Sequence, residues 1–317
     1  MNRNTLRRAR HVTETESIVT AEQRRGWGRP APTVTRKRTP VEVVRRATIT
    51  TLIVMPLLVL VVWTAAPFFV TVVASLQTRG EVFANPGILP ASPSFDAYVQ
   101  VFQSPTFWSS LGNSVIVGAG TTVLTIAIAV PTAYAFARFN FRGRGFLLLF
   151  TLLPRLVPNL ALMVPLYRLA VETGAIDKLF TLILVYTGMT LPLAVFLLVG
   201  FYQKIPVDVE EAASVDGANL WQRLRFIVMP LSVPALITIG VLAFREAWNE
   251  FTLVLVLMTS ASNRTLPFEL YTQQGLEGIP NYPTQAALAL LTVIPFVIVY
   301  MRIERYVVQG ITAGSGK

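Results

Sequence analysis

Charged side chains interrupt the apolar stretches of this chain of 317 residues at two places, and they are the first candidates for chemistry. Arg155 stands alone, whereas the stretch AFREAWNEF carries several polar residues together. Ionisable residues inside long apolar segments are costly, so a functional role is the first hypothesis for them. At helical spacing Glu246 and Glu250 share one face. A second face holds Arg245, Trp248 and Asn249.

A polar and aromatic stripe of this kind suits a path for a hydroxyl-rich solute. Asn and Glu side chains hydrogen-bond hydroxyl groups, and an indole ring stacks on the apolar face of a sugar ring. The alternative is that these side chains pair with one another, or with a neighbouring subunit, and hold helices together. Both interpretations stay open for Arg245 and Glu246, and a structural role is the preferred interpretation for Trp248 and Asn249.

A second polar stretch, residues 206–231, reads PVDVEEAASVDGANLWQRLRFIVMPL and separates two long apolar runs. Its sequence predicts a short helix, a turn and a second helix. Gly217 can adopt the left-handed conformation that ends a helix, and Asn219 with Gln222 resembles a capping box that starts the next one. Pro230 then ends or kinks the second helix. Because the stretch carries no catalytic set, it is predicted to be a docking surface.

Composition excludes several kinds of site. The chain has no cysteine, and its one histidine, His11, lies in a basic stretch, so thiolate sites and histidine-based catalysis or metal binding are excluded. Residues 314–317, GSGK, resemble the end of a phosphate-binding loop, but Ile311 stands where its first glycine is required. We therefore expect no catalytic residue, no metal and no bound cofactor on this chain.

Six segments are long and apolar enough to cross a bilayer, which takes about 20 residues. With 53% hydrophobic and 14% charged residues, the chain is typical of an all-α integral membrane protein and not of a soluble domain. The predicted segments are residues 47–76, 110–138, 145–169, 179–203, 232–258 and 284–303.

The distribution of basic residues predicts the orientation of these segments. With the N-terminus inside, 21 Lys and Arg residues fall in inside segments and four in outside loops. Six crossings then return the C-terminus to the inside, and residues 206–231 are cytoplasmic. Residues 77–109 and 259–283 form the two longer outside loops.

Three regions follow one another along the chain. Residues 1–46 hold twelve Lys and Arg residues and are predicted to be a disordered cytoplasmic tail. A tail of this charge favours the anionic membrane lipid surface, and nucleic acid is the less favoured partner. Residues 47–310 form the membrane domain, and residues 311–317 form a cytoplasmic C-terminal tail.

A longer pattern within residues 206–231 resembles a known family. The pattern begins with EAA at residues 211–213 and continues, after a spacer of three residues, with Gly217. A spacer of nine residues leads to Ile227, and after one further residue the pattern ends with MP at residues 229–230. This resembles the EAA motif of binding-protein-dependent ABC importer permeases, with Met in place of Leu. AYAFARFNFRGR at residues 133–144 and WNEF at residues 248–251 resemble the carbohydrate branch of this family, MalG-like in type.

The resemblance covers about residues 50–317 and implies a fold, a location and partners. The fold is the type I ABC importer (MetI-like) permease fold in a bacterial inner membrane, with six transmembrane helices, both termini cytoplasmic and a cytoplasmic coupling hairpin. The implied partners are a second homologous permease subunit, two cytoplasmic ATPase subunits and an extracellular solute-binding protein. ATP and Mg²⁺ then belong to the ATPase subunits, and the chain itself is not an enzyme.

The resemblance also assigns residues to the coupling element. They are Glu211, Ala212, Ala213, Asp216, Gly217, Arg223 and Pro230. In this role the small alanines allow close approach of the ATPase, and Glu211 offers a carboxylate to its basic groups. Arg245 and Glu246 stand where the family commonly has apolar or small residues. The resemblance therefore does not predict which face of the fifth helix is turned toward the substrate.

Two functions from other classes remain as alternatives. A secondary, ion-coupled transporter would work without an ATPase, but a lone carrier has no need of a docking hairpin. An integral membrane enzyme is the third alternative, and the sequence holds no recognisable catalytic set for it.

Overall fold

The computed structural model describes residues 40–84, 89–272 and 281–315, which form helices and connecting turns and no strand. The chain divides into two compact units, residues 1–64 and 65–317. The described part of the first unit belongs to helix α1 (Pro40–Ser75), whose large apolar side chains between Leu52 and Trp63 are exposed. The predicted tail, residues 1–46, lies mostly outside the described residues, and α1 begins within its last part.

The second unit holds the remaining helices. Two short helices, α2 (Arg79–Ala84) and α3 (Asp96–Gln103), precede the long α4 (Pro105–Arg138). The next three are α5 (Arg144–Phe150), α6 (Asn159–Glu172) and α7 (Leu179–Tyr202). A group of short helices follows, with α8 (Val207–Val215), α9 (Leu220–Arg223), a π-helical turn (Leu224–Val228) and α10 (Met229–Leu231). The last four are α11 (Val233–Asn249), α12 (Thr252–Leu257), α13 (Leu266–Thr272) and α14 (Tyr282–Ser315).

Among the described residues, four helices are long and apolar enough to cross a membrane, or six if each of two bent pairs forms one span. The four are Thr51–Ser75, Pro105–Arg138, Leu179–Tyr202 and Tyr282–Arg302. The bent pairs are Arg144–Leu156 with Asn159–Glu172, at 91°, and Leu220–Leu231 with Val233–Asn249, at 80°. The helices and these candidate spans confirm the prediction of an all-α membrane protein.

The predicted third segment, residues 145–169, is not one continuous helix. It breaks between a 3-10 turn at Leu153–Leu156 and α6. Val157 adopts an extended backbone there, with ψ of 122°. The physical reason is Pro158, because the residue before a proline is driven out of the helical region.

The predicted fifth segment, residues 232–258, is also interrupted. α11 ends at Asn249, and Glu250 has an extended ψ of 129°. The carboxylate of Glu250 then accepts the backbone N–H of Leu253 at 3.0 Å, which caps the start of α12. This bond satisfies one of the N–H groups that the first turn of a helix leaves without an intrahelical partner.

Asp177 ties the turn between α6 and α7 to the loop after α12. It has a positive φ of 60°, and its Oδ1 accepts the N–H groups of Thr259 and Ser260, each at 3.0 Å. Asn263 Nδ2 donates to the Asp177 carbonyl at 2.7 Å. These bonds fix two loops at the same end of the helices.

The core of the second unit lies where α4 packs along α7 and α11. Ala129 and Ala133 of α4 meet Ala194 and Leu198 of α7, and all four are buried. A close approach occurs at Gly118 of α4, where a Cβ would lie 2.7 Å from a ring carbon of Phe244. Small residues at such crossings let membrane helices approach each other closely.

This crossing gives a first expected result. Gly118→Ala should lower the midpoint of thermal unfolding of the detergent-solubilised protein, because overpacking a tight contact costs about 1–3 kcal/mol. Gly112→Ala on the same helix is the matched control, since a Cβ there meets no atom within 4 Å. Equal midpoints for the two variants would contradict the close packing of α4 on α11.

Candidate functional site

Residues 206–231, called the hairpin from here on, fold into the predicted helix, turn and helix. Gly217 adopts the left-handed conformation with φ of 89°. Asn219 Oδ1 accepts the Gln222 N–H at 2.9 Å, and Gln222 Oε1 accepts the Asn219 N–H at 2.7 Å, which confirms the capping box. Pro230 follows the π-helical turn, and the chain bends by 80° before α11.

Most of the residues assigned to the coupling element face outward. The exposed ones are Glu211, Ala212, Asp216, Gly217 and Pro230, whereas Ala213 and Arg223 are half-buried. Large apolar side chains lie beside them with exposed fractions of 88% for Val215, 69% for Trp221 and 68% for Phe226. Exposed apolar side chains grouped in this way are typical of a protein-contact surface.

Glu210 points the opposite way from its neighbour Glu211 and is only 2% exposed. The Tyr134 hydroxyl donates to its Oε2 at 2.6 Å, and Arg138 Nε donates to its Oε1 at 2.7 Å. Arg138 Nη2 also donates to the carbonyl of Ile205 at 3.0 Å. We call Tyr134, Arg138 and Glu210 the inner latch, because they join the end of α4 to the first turn of the hairpin.

The sequence interpretation did not include the inner latch. The available signal was the spacing of Tyr134 and Arg138, which lie four apart and therefore on one face of α4. Their partner could not be named, because Glu210 is one of four acids in the hairpin.

Apolar contacts also anchor the second half of the hairpin. Leu224 and Val228 of the π-helical turn are buried in the same cluster as Tyr202 of α7 and Ile239 of α11. The hairpin is therefore fixed at both of its ends, by the inner latch and by this cluster, while its turn remains exposed.

A cavity of about 150 Å³ lies between α4, α7 and α11. The hydroxyls of Thr125 and Thr190 meet there at 2.9 Å. Three charged side chains complete its polar lining, namely Arg155, Arg245 and Glu246. The structure thus brings Arg155, from the broken third segment, to two of the residues predicted from AFREAWNEF.

Glu246 pairs with Arg155 and not with its neighbour Arg245. Arg155 Nη2 lies 3.6 Å from Glu246 Oε1, and both side chains are about a third exposed, at 31% and 33%. Arg245 is exposed, and its carbonyl accepts the Nδ2 group of Asn249 at 2.9 Å. The ion pair therefore joins two segments of the chain, which fits the structural alternative for Glu246 as well as a role in the cavity.

The expectation that Glu246 and Glu250 share a helical face is wrong, because α11 ends at Asn249. Glu250 is buried away from the cavity and accepts the Tyr186 hydroxyl at 2.7 Å. Trp248, 2% exposed, stacks on Phe244 with ring centroids 5.3 Å apart. Neither Trp248 nor Glu250 borders the cavity in this conformation.

In the part of the chain that the structure describes, no group of three or more His, Cys, Asp and Glu side chains could hold a metal ion.

Known proteins resemble this chain in sequence and in fold. Residues 125–313 match the family described as binding-protein-dependent transport system inner membrane component. The trehalose/maltose transport system permease protein MalG of Thermococcus litoralis is 32% identical over 253 residues, which are 79% of this chain and 91% of that protein. The sulfoquinovosyl glycerol transport system permease protein SmoH of Agrobacterium fabrum is 35% identical over 244 residues, 77% of this chain and 85% of that protein.

A solved structure shares the fold. It is the crystal structure of a bacterial ABC transporter involved in the import of the acidic polysaccharide alginate, and it superposes with a TM-score of 0.70. The superposition covers 86% of this chain and 99% of that chain at 23% sequence identity. The family match spans more than half of the chain, and the chain belongs to the binding-protein-dependent transport system inner membrane components, the permeases of ABC importers, as its EAA pattern predicted.

Proposed function

We propose that this permease forms half of the translocation path of an ATP-driven carbohydrate importer and that its hairpin docks on a cytoplasmic ATPase subunit. The observation that carries the proposal is the hairpin itself, whose coupling residues and large apolar side chains face outward. A carbohydrate is the proposed solute because relatives of the chain are named for the transport of trehalose and maltose and of sulfoquinovosyl glycerol. The choice between sugars belongs in part to the solute-binding protein.

The proposed topology has six spans with both termini in the cytoplasm. The broken third segment, α5 with α6, then counts as one span. α11, continued by the short α12, forms the fifth, and the second half of the hairpin, on the other side of the 80° bend, lies outside the membrane. The excess of Lys and Arg in inside segments supports this orientation. It leaves the hairpin in the cytoplasm, where ATP is available to the ATPase subunits.

Coupling follows from differential affinity for two states of the complex. ATP binding favours one arrangement of the ATPase subunits, and a hairpin docked on them biases the membrane helices toward the matching arrangement. In this scheme Glu211 pairs with basic groups of the ATPase, while the exposed apolar side chains fill its groove. ATP and Mg²⁺ are bound by the ATPase subunits.

The cavity between α4, α7 and α11 is our candidate for one wall of the sugar path. Its threonine, arginine and glutamate side chains can hydrogen-bond hydroxyl groups. At about 150 Å³ it is smaller than a complete pocket for a ligand, which typically measures roughly 300–1,000 Å³. A second, homologous permease subunit is therefore expected to complete the path, and Arg245 and Asn249 are exposed toward such a partner or toward the solute.

Reconstitution in liposomes tests this function. We expect uptake of radiolabelled maltose, trehalose or another sugar of a panel only when the second permease, the ATPase subunits, the binding protein and Mg-ATP are all present. The control is the same vesicle without ATP. Uptake by this chain alone, driven by an ion gradient, would instead show that the chain is a secondary transporter.

A further inference from the structure

Glu210 differs from the other acids of the hairpin because protein encloses its carboxylate. It is 2% exposed, whereas Asp208 and Glu211 on the same helix are exposed. Each of its two oxygens accepts a hydrogen bond from α4, one from Tyr134 and one from Arg138. A buried carboxylate is stable only while a cation and hydrogen-bond donors remain beside it. We therefore expect Glu210 to keep its contact with α4.

Arg138 holds the hairpin at two points at once. Its Nε group bonds Glu210, and its Nη2 group bonds the Ile205 carbonyl just before the hairpin begins. Because the guanidinium is planar and its donors are fixed in direction, the two bonds set both the position and the angle of the first turn of the hairpin. The contact is therefore stiffer than a single surface ion pair.

Helix α4 connects the inner latch to the cavity. Thr125, which borders the cavity, and Arg138 lie on one helix that continues across Pro131, about 20 Å apart at a rise of 1.5 Å per residue. α4 also packs along α7 and α11, which carry the cavity residues Thr190 and Glu246. The inner latch and a residue that borders the cavity therefore lie on one continuous helix.

We infer that the inner latch is the joint through which movement of the hairpin reaches α4, with Glu210 as its positioning residue. The inference rests on the proposed docking of the hairpin on an ATPase. It gives two adjacent glutamates opposite tasks: Glu211 faces the ATPase, and Glu210 faces the membrane helices. A latch that only stabilised the fold would leave the response of α4 to ATP unchanged in an assembled complex.

Hydrogen–deuterium exchange on the assembled importer, with and without Mg-ATP and vanadate, tests the joint. In the wild-type complex we expect the nucleotide to change the exchange of residues 207–215 and of residues 126–138 together. In Glu210→Ala we expect the nucleotide to change the exchange of residues 207–215 as in the wild type. The change in the exchange of residues 126–138 should fall at least about fivefold, because coupling between two sites is typically fivefold or more. Asp208→Ala, an exposed acid on the same helix, should respond like the wild type.

The two proposals fail in different ways. No response of residues 207–215 in the wild-type complex would overturn the docking of the hairpin. A normal response there, together with an unchanged response of residues 126–138 in Glu210→Ala, would overturn the inner latch alone.

A milder variant covers the case in which Glu210→Ala does not assemble. Tyr134→Phe removes one hydroxyl and keeps the ring, so the fold and the Arg138–Glu210 pair are retained. We expect the response of residues 126–138 to fall at least about twofold, because one of the bonds to the carboxylate is lost. A response equal to that of the wild type in this variant also overturns the inference.

Discussion

Glu211→Lys is expected to lower ATP-driven sugar uptake at least about 100-fold, since placing like charges together at an interface costs several kcal/mol. Glu211 is exposed on the outer face of α8, so the substitution disturbs no buried contact of the permease. The loss should therefore come from failed docking on the ATPase and not from misfolding. Uptake by proteoliposomes, together with the amount of variant that co-purifies with the ATPase subunits, measures it.

Two variants serve as controls for this experiment. Glu172→Lys makes the same charge reversal at an exposed position at the end of α6, and it should leave uptake unchanged. Glu211→Gln keeps the shape and some hydrogen bonding, so it should retain more uptake than Glu211→Lys. If Glu211→Lys transports at the wild-type rate, Glu211 has no part in coupling.

Gly217→Pro is the second variant with a large expected effect, and we expect it to abolish uptake. Gly217 has φ of 89°, whereas proline holds φ near −65°. The substitution also removes the N–H group that donates to the Ser214 carbonyl at 3.1 Å. The turn between α8 and α9 must then rearrange, and the exposed coupling residues on both sides of it lose their relative positions.

A graded series separates the turn conformation from the loss of the N–H group. Gly217→Asn should keep most of the uptake, because asparagine tolerates the left-handed conformation. Uptake by Gly217→Ala should lie between the uptake of Gly217→Asn and that of Gly217→Pro. The reason is that the left-handed conformation costs alanine roughly 1–2 kcal/mol. Equal uptake for all three variants would show that the geometry of the turn is not needed for coupling.

Local signals explain why the hairpin could be predicted from the sequence in detail. The conformation at Gly217 and the bonds between Asn219 and Gln222 depend on residues within one or two turns of each other. The apolar lengths of the spans are equally local, because a bilayer sets them. The hairpin turn and four of the six predicted spans are found in the structure with small changes in their boundaries.

The breaks within two predicted spans depend on contacts that periodicity does not show. Proline is tolerated within α4, which continues across Pro131, yet the chain breaks before Pro158. Whether a proline breaks a membrane helix depends on which neighbours satisfy the freed carbonyl groups. At the second break, Glu250 accepts a hydrogen bond from Tyr186 of another helix, a contact that the sequence does not show.

The partners of the charged residues were the least predictable part of the candidate site. Arg155 and Glu246 meet across a long sequence separation, and the partner of Glu210 lies on α4. Adjacent residues such as Arg245 and Glu246 point to different neighbours on a helix, so proximity in sequence is a poor guide to pairing. Tertiary packing of α4, α7 and α11 decides these contacts.

A bend of 80° separates the second half of the hairpin from α11. A displacement along the axis of the hairpin's second half is nearly perpendicular to α11. In the proposed topology α11 crosses the membrane, so such a displacement would shift its end sideways and would not slide the helix along the bilayer normal. Sliding would create a mismatch between the apolar length of the helix and the hydrocarbon layer, which costs free energy for each ångström of displacement. In that topology, a movement of the docked hairpin would change the width of the gap beside α11 without this mismatch.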